Sequence, residues 1–273
     1  MSFFWQEFLY KPLFNILIFL YNTIAFKDIG IAIIEITVII RLILLPPSIK
    51  SLKAQISLQK IQPALDKIRA KYKDNKQKQT QAIMDFYQKN KINPFASCLP
   101  TLIQFPILIA LFWIFRDALS SNNMHLLYPF VSNPGKVNSL FLGFVDLSQK
   151  GNFILAILAA VTQFVQSKMI TPKPLKSQEN STQSILGTQM IYFLPLLTFV
   201  FALQFPAGLA LYWAVTTVCI IITQFFVLKK VKEEKIDNLK IQNKNSQEKK
   251  SGFLIHILEK YKRDLENYQK NKR

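Results

Sequence analysis

Apolar residues along this chain gather into blocks, and the polar residues lie between them. The first block, residues 3 to 26, is interrupted by Gln6, Glu7, Lys11, Asn15, Asn22 and Thr23. Glu7, Lys11, Asn15 and Asn22 recur at spacings of 4, 4 and 7, which puts them in one narrow polar stripe on a helix. After Pro12 only about 14 residues remain before Lys27 and Asp28, too few to cross a hydrocarbon core of roughly 30 Å. The pattern predicts an amphipathic helix within residues 1–28 that lies in the membrane interface, with Phe3, Phe4, Trp5 and Tyr10 as interfacial aromatics. The competing reading is a sixth span or an uncleaved anchor. A basic leading region and a small-residue cleavage site, the marks of a signal peptide, are not seen.

The later blocks predict five spans, at residues 29–47, 99–115, 152–170, 188–203 and 208–228. The last two come from one largely apolar stretch, residues 185–228. As a single helix it would run about 66 Å, twice the bilayer core, so it must turn. "QFPAG", residues 204–208, is the expected break: Pro206 removes a backbone donor and Gly208 permits a tight return.

The polar segments carry the charge. Residues 48–93 hold 11 cations and 3 acids, residues 168–187 hold 3 and 1, and the tail after Leu228 holds 14 and 7. Residues 117–151 hold only 2 of each. Cations concentrate on the cytoplasmic side of membrane proteins, so five spans with the N-terminus outside satisfy every loop. Within residues 50–92, Leu52, Ile56, Leu65, Ile68 and Tyr72 fall largely at helical spacing, with Ile61 near the same face. Ile83, Phe86 and Tyr87 form a second stripe, and "KDNK", residues 73–76, is a turn signal. A cytoplasmic helical hairpin is expected, either as a spacer touching headgroups or as a receiver of a partner chain. The basic tail, residues 229–273, begins polar and ends with Phe253, Ile257, Tyr261 and Leu265 on one helical face. Such a tail suits anionic lipid and suits ribosomal RNA.

Composition agrees with this layout. Half of the 273 residues are apolar, yet the net charge is +18. Segregation into membrane spans and basic aqueous segments reconciles the two values, and a soluble nucleic-acid-binding protein does not. Cys98 and Cys219 offer neither a disulfide framework nor a metal spacing, and His125 and His256 lie far apart. With no P-loop, catalytic triad or metal constellation, the chain is not expected to be an enzyme or to use a cofactor.

One residue breaks the pattern. In "EITVIIRLILLPP", residues 35–47, Arg41 stands inside a span with no carboxylate at the neighbouring turns. A central charge costs about 2.5–3.5 kcal/mol on insertion scales. Arg41 lies about 18 Å of helix rise from Ile29, so it either snorkels towards headgroups or faces a wet cavity. Thr37 shares its face, Gln104 lies in the second span, Thr162 and Gln163 in the third, and Tyr212, Trp213, Thr216 and Thr217 in the fifth. A shared hydrophilic cavity accounts for all of them, whereas snorkelling accounts for Arg41 alone. Glu35, about 120° from Arg41 around the helix, could be a second cavity group or an interfacial carboxylate.

"RLILLPPSIKSLKAQ", "IQPALDKIRAKYKD", "NPFASCLPTLIQFPILIALFW" and "FPAGLALYW" occur in that order and together resemble the YidC/Oxa family of membrane protein insertases, in its minimal form, over roughly residues 5–230. The resemblance implies an all-α, five-span core with an interfacial N-terminal helix and a cytoplasmic hairpin. It implies a substrate groove containing Arg41, Thr37, Gln104, Tyr212 and Trp213; Gln163 is added from its position in the third span. Arg41 would attract the acidic leading segment of a nascent membrane protein, whose apolar helix then leaves sideways into lipid. The short second and fourth spans fit a locally thinned bilayer. Implied partners are nascent membrane proteins and lipid, with the ribosome and the Sec translocon as further candidates and no DNA. Glu35 departs from the aliphatic residue usual there in the family. The rival function is a small-solute transporter or channel, against which stands the lack of an internal repeat.

Overall fold

The computed structural model describes residues 5–97, 99–119, 123–171 and 182–233. Phe3, Phe4 and the tail helix expected around residues 253–265 lie outside them. The chain divides into two units, Met1–Gln224 and Phe225–Arg273. In the second, residues 225–233 are described and are helical.

The protein is mostly helical. α1 runs from Gln6 to Thr23, and its first turn, Gln6–Tyr10, is a π-turn. The cause is Pro12, which has no N–H to donate; Lys11 N–H reaches back to Gln6 O, five residues away. Much of the polar stripe of α1 meets other parts of the protein. Asn15, 2% exposed, donates to Lys11 O (2.8 Å) and Leu126 O (3.1 Å) and accepts from Tyr128 N–H (2.6 Å). Asn22 donates to Ser132 O at 2.6 Å, and the Lys11 ammonium lies over the Tyr128 ring. The stripe therefore holds an irregular loop, whose unpaired backbone groups need partners of both kinds, and an amide supplies both. Exposed Phe8, Ile16 and Phe19 lie on the outer side of α1. At its start, the Tyr10 hydroxyl donates to Asp117 at 2.8 Å. Burial, and then this bond, push the Tyr10 phenol well above its ordinary pKa.

α2 (Ile29–Ile43) begins on an Asp28 cap, whose Oδ1 accepts from Gly30 N–H and Ile31 N–H. It stops at Ile43, short of the expected residue 47. Pro46 and Pro47 instead occupy the first turn of α3 (Leu45–Lys71), where their missing N–H groups leave no bond unmade. The two helices meet at a 64° bend. After Tyr72–Asn75, Asn75 caps α4 (Lys76–Lys89), accepting from Lys78 N–H at 2.9 Å. α5 (Leu99–Leu119) follows. A short antiparallel pair, β1 (Leu140–Phe141) and β2 (Val145–Asp146), leads to α6 (Phe153–Ile170) and α7 (Thr182–Gln204). α8 spans Ala207–Glu233.

α6 and α8 are each long and apolar enough to cross a membrane, and α2 with α3 counts as a further candidate if the bent pair is one span. The outward faces support this. Phe153, Ile154, Ile157 and Val161 on α6, and Tyr192, Phe193, Leu196 and Val200 on α7, are exposed. Such large contiguous apolar surface belongs in lipid. The core gathers Phe14, Leu17 and Ile18 from α1, Ile33 and Ile36 from α2, Leu111, Ile114 and Phe115 from α5, and Leu209–Tyr212 from α8.

The break at 204–208 is narrower than its sequence implies. Phe205 and Pro206 alone make the turn, and Gly208 is already helical. Its role is to donate to Leu147 O at 3.0 Å, beside Ala207 N–H to Gln149 O (2.9 Å) and Gly151 N–H to Leu203 O (3.0 Å). The preceding loop thus holds the joint through backbone groups.

The hairpin rests on α2 at Gly30, where an added Cβ would lie 2.8 Å from Phe141 Cβ and closer still to its ring. In an open helix Gly→Ala usually stabilises. Here Gly30→Ala is expected to destabilise by about 1–3 kcal/mol through overpacking, measured as a lowered thermal transition in detergent.

Candidate functional site

The last turn of α2 delivers Arg41 to the bundle interior. A cation there is favoured by the carboxyl end of the helix dipole. Its Nη2 donates to Gln104 Oε1 on α5 at 2.7 Å. Gln104 Nε2 in turn donates to the Tyr212 hydroxyl on α8. On the far wall Trp213 Nε1 donates to Gln163 Oε1 on α6 at 3.3 Å, and Gln163 Nε2 reaches Gln166 at 3.1 Å. These groups line one cavity of about 280 Å³. Arg41 therefore turns inward, and the snorkelling reading does not describe it.

A second cavity of about 230 Å³ lies on the other side of Arg41 and Gln166. Ser48, Ser51 and Gln55 of α3 line it, with Thr223 and Gln224 of α8. Arg41 Nε and Gln224 Oε1 are buried with no hydrogen-bond partner among the described residues. No described carboxylate forms an ion pair with Arg41. The site is thus a positive charge held among neutral amides and hydroxyls. It attracts an anion while leaving hydrogen-bonding capacity on both sides.

Of the residues assigned to a shared cavity, seven line it: Arg41, Gln104, Gln163, Tyr212, Trp213, Thr216 and Thr217. Thr37 does not. It is fully buried, and its hydroxyl donates to Ile33 O at 2.5 Å within its own helix. A threonine can satisfy itself on the preceding turn, so sharing a face with Arg41 was not sufficient. Thr162 does the same, bonding Leu158 O and Ala159 O. The residues missed are Gln166, Gln224 and the α3 group. Gln166 stands three residues after Gln163, and Ser48, Ser51 and Gln55 share one helical face, so the spacing held a signal. The bend after Ile43, which aims that face at Arg41, was not visible.

Glu35 lines neither cavity. It belongs to the stripe of Val38, Ile39 and Leu42, all exposed, and its Oε2 is buried without a hydrogen-bond partner among the described residues. Glu35→Leu is expected to stabilise the protein in bilayers by about 2 kcal/mol, by removing a polar group from an apolar face. Unfolding in proteoliposomes measures this, and a loss of stability would reveal a membrane partner for the carboxyl.

The sequence matches the family model described as "60Kd inner membrane protein" over residues 19–235. Among relatives, a "Membrane protein insertase YidC" from Fusobacterium nucleatum subsp. nucleatum is 31% identical over 227 residues, 82% of this chain and 99% of that one. Proteins of the same name from Hahella chejuensis and Saccharophagus degradans are 31% and 32% identical over 83% and 85% of this chain. This chain spans 36% and 37% of their lengths.

Proposed function

This chain belongs to the 60Kd inner membrane protein family, the YidC/Oxa family that its motifs resemble, and on that premise we propose that it is a membrane protein insertase. The observation that carries the reading is Arg41, a cation without an acidic partner among the described residues, set in a cavity whose other walls are neutral: amides, hydroxyls, aromatic rings and the aliphatic Leu108 and Ile220. An acidic leading segment of a nascent membrane protein supplies the missing charge. Gln104, Gln163 and Gln166 offer its peptide groups both donors and acceptors. Tyr212 and Trp213 combine apolar area with a polar tip, which suits a chain passing from water to lipid. Translocation here requires no covalent step. The groove lowers the cost of carrying polar groups part-way across, and burial of the client's apolar helix in lipid drives its release.

In this reading the chain crosses the membrane five times, with α2, α5, α6, α7 and the apolar part of α8 as spans. α1 lies in the outer interface, α3 and α4 form a cytoplasmic hairpin, and the basic tail is cytoplasmic. The distribution of lysine and arginine supports that orientation, with the N-terminus outside. The tail's charge suits anionic lipid and ribosomal RNA alike, and a Sec translocon is a further partner to test.

The test is photocrosslinking from position 105. Phe105 lines the cavity and is exposed, so replacing it leaves the Arg41–Gln104–Tyr212 chain intact. Stalled nascent chains of a single-span membrane protein are expected to crosslink there. No nascent-chain adduct, together with saturable flux of a small solute in proteoliposomes, would favour transport instead.

A further inference from the structure

The turn joining α1 to α2 and the tip of the β-hairpin are tied together by one carboxylate. While Asp28 Oδ1 caps α2, its Oδ2 accepts from Leu142 N–H at 2.7 Å. Both ends of this tie carry left-handed backbone: Phe26 at φ 51° and Lys27 at 61° on one side, Leu142 at 51° and Gly143 at 82° on the other. Glycine adopts that conformation freely, but phenylalanine and leucine do so at a cost. Burial of their side chains does not offset it. Phe26 is 90% exposed, Leu142 57% and Phe144 75%, with Ile24 at 55% in the same turn. Glycine or asparagine would hold both turns without strain. The fold thus keeps unfavourable backbone in order to present large apolar side chains outward.

We propose that these two tips form a lipid-inserting wedge, with Phe26, Leu142 and Phe144 seated in the interfacial layer of the bilayer next to the start of α2. The occupant follows from what adjoins the patch. Exposed apolar residues of α1, Phe8, Ile16 and Phe19, are followed along the chain by exposed Ile24 and Phe26. Lys27 stands beside Phe26, where its ammonium can reach a headgroup phosphate while its stem lies along the apolar surface. Aromatic residues flanked by lysine favour this depth. Because Phe141 packs on Gly30, the wedge is braced against α2.

The experiment uses the full chain with Cys98→Ser and Cys219→Ser, reconstituted in phospholipid vesicles. An environment-sensitive fluorophore is attached at Phe144→Cys or Phe26→Cys, and at Lys136→Cys, an exposed loop position, for comparison. The tip labels are expected to emit at shorter wavelength than the Lys136 label. They should lose most of their emission to nitroxide carried on lipid and little to aqueous iodide. Iodide quenching equal to that at Lys136 would overturn the wedge. Resistance to both quenchers would also overturn it, because it would mean that protein covers the patch. Position 144 alone decides the matter if the Phe26 variant does not fold.

Discussion

Replacing Arg41 by alanine is expected to lower insertion of a single-span client with an acidic leading segment by about 10- to 100-fold. That range corresponds to loss of one charged hydrogen-bonding interaction worth about 1.5–3 kcal/mol. A client with a neutral leading segment should be affected much less, because the cavity keeps its amides and aromatic groups. Arg41→Lys retains the charge but lacks the planar fork, so its defect should be intermediate for acidic clients. The fold should survive Arg41→Ala, since the change also removes a buried Nε that has no partner among the described residues. Undiminished insertion at matched expression would remove the electrostatic role from this groove. An equal fall for acidic and neutral clients would leave Arg41 a merely structural part of it.

The second large effect lies in stability. Asn15→Leu is expected to destabilise the protein by about 3 kcal/mol, because Leu126 O and Tyr128 N–H would both lose their partner within a part-buried contact. Asn22→Ala removes a single bond at an exposed site and should cost less than about 1 kcal/mol. Thermal unfolding in detergent measures both. Equal losses for the two variants would show that α1 is held by its apolar contacts alone.

These two residues show how far the sequence could be read. Arg41 advertised itself because a lone cation in an apolar run is costly, and its cost implied company. The same reasoning nominates Gln104, Gln163, Tyr212 and Trp213, since amides and indoles in lipid seek one another, and these residues line the cavity beside Arg41. Asn15 was visible as part of a stripe, but helical spacing gives a face and not what the face meets. Its partners lie 111 and 113 residues away, on a loop with no regular pattern of its own. The break before α8 was legible from Pro206, whereas the part played by Gly208 was not. Its bond to Leu147 O depends on a distant backbone segment. Thr37 lies outside the cavity while Thr216 and Thr217 line it: a hydroxyl can satisfy itself on its own helix, so a threonine in a span does not by itself fix which way it faces.

The joint between α7 and α8 has a mechanical consequence. Three backbone amides clamp it to residues 147–151, and backbone bonds hold regardless of side-chain rotamer. At Arg41, by contrast, α2, α5 and α8 are linked through amide, guanidinium and phenol tips that can swing away one at a time. Stiffness is therefore graded along the bundle. An incoming segment that prises the Arg41 end apart would work against a fixed pivot, as between the arms of tongs. Amide hydrogen exchange should report that gradient as slow exchange at Gly151, Ala207 and Gly208.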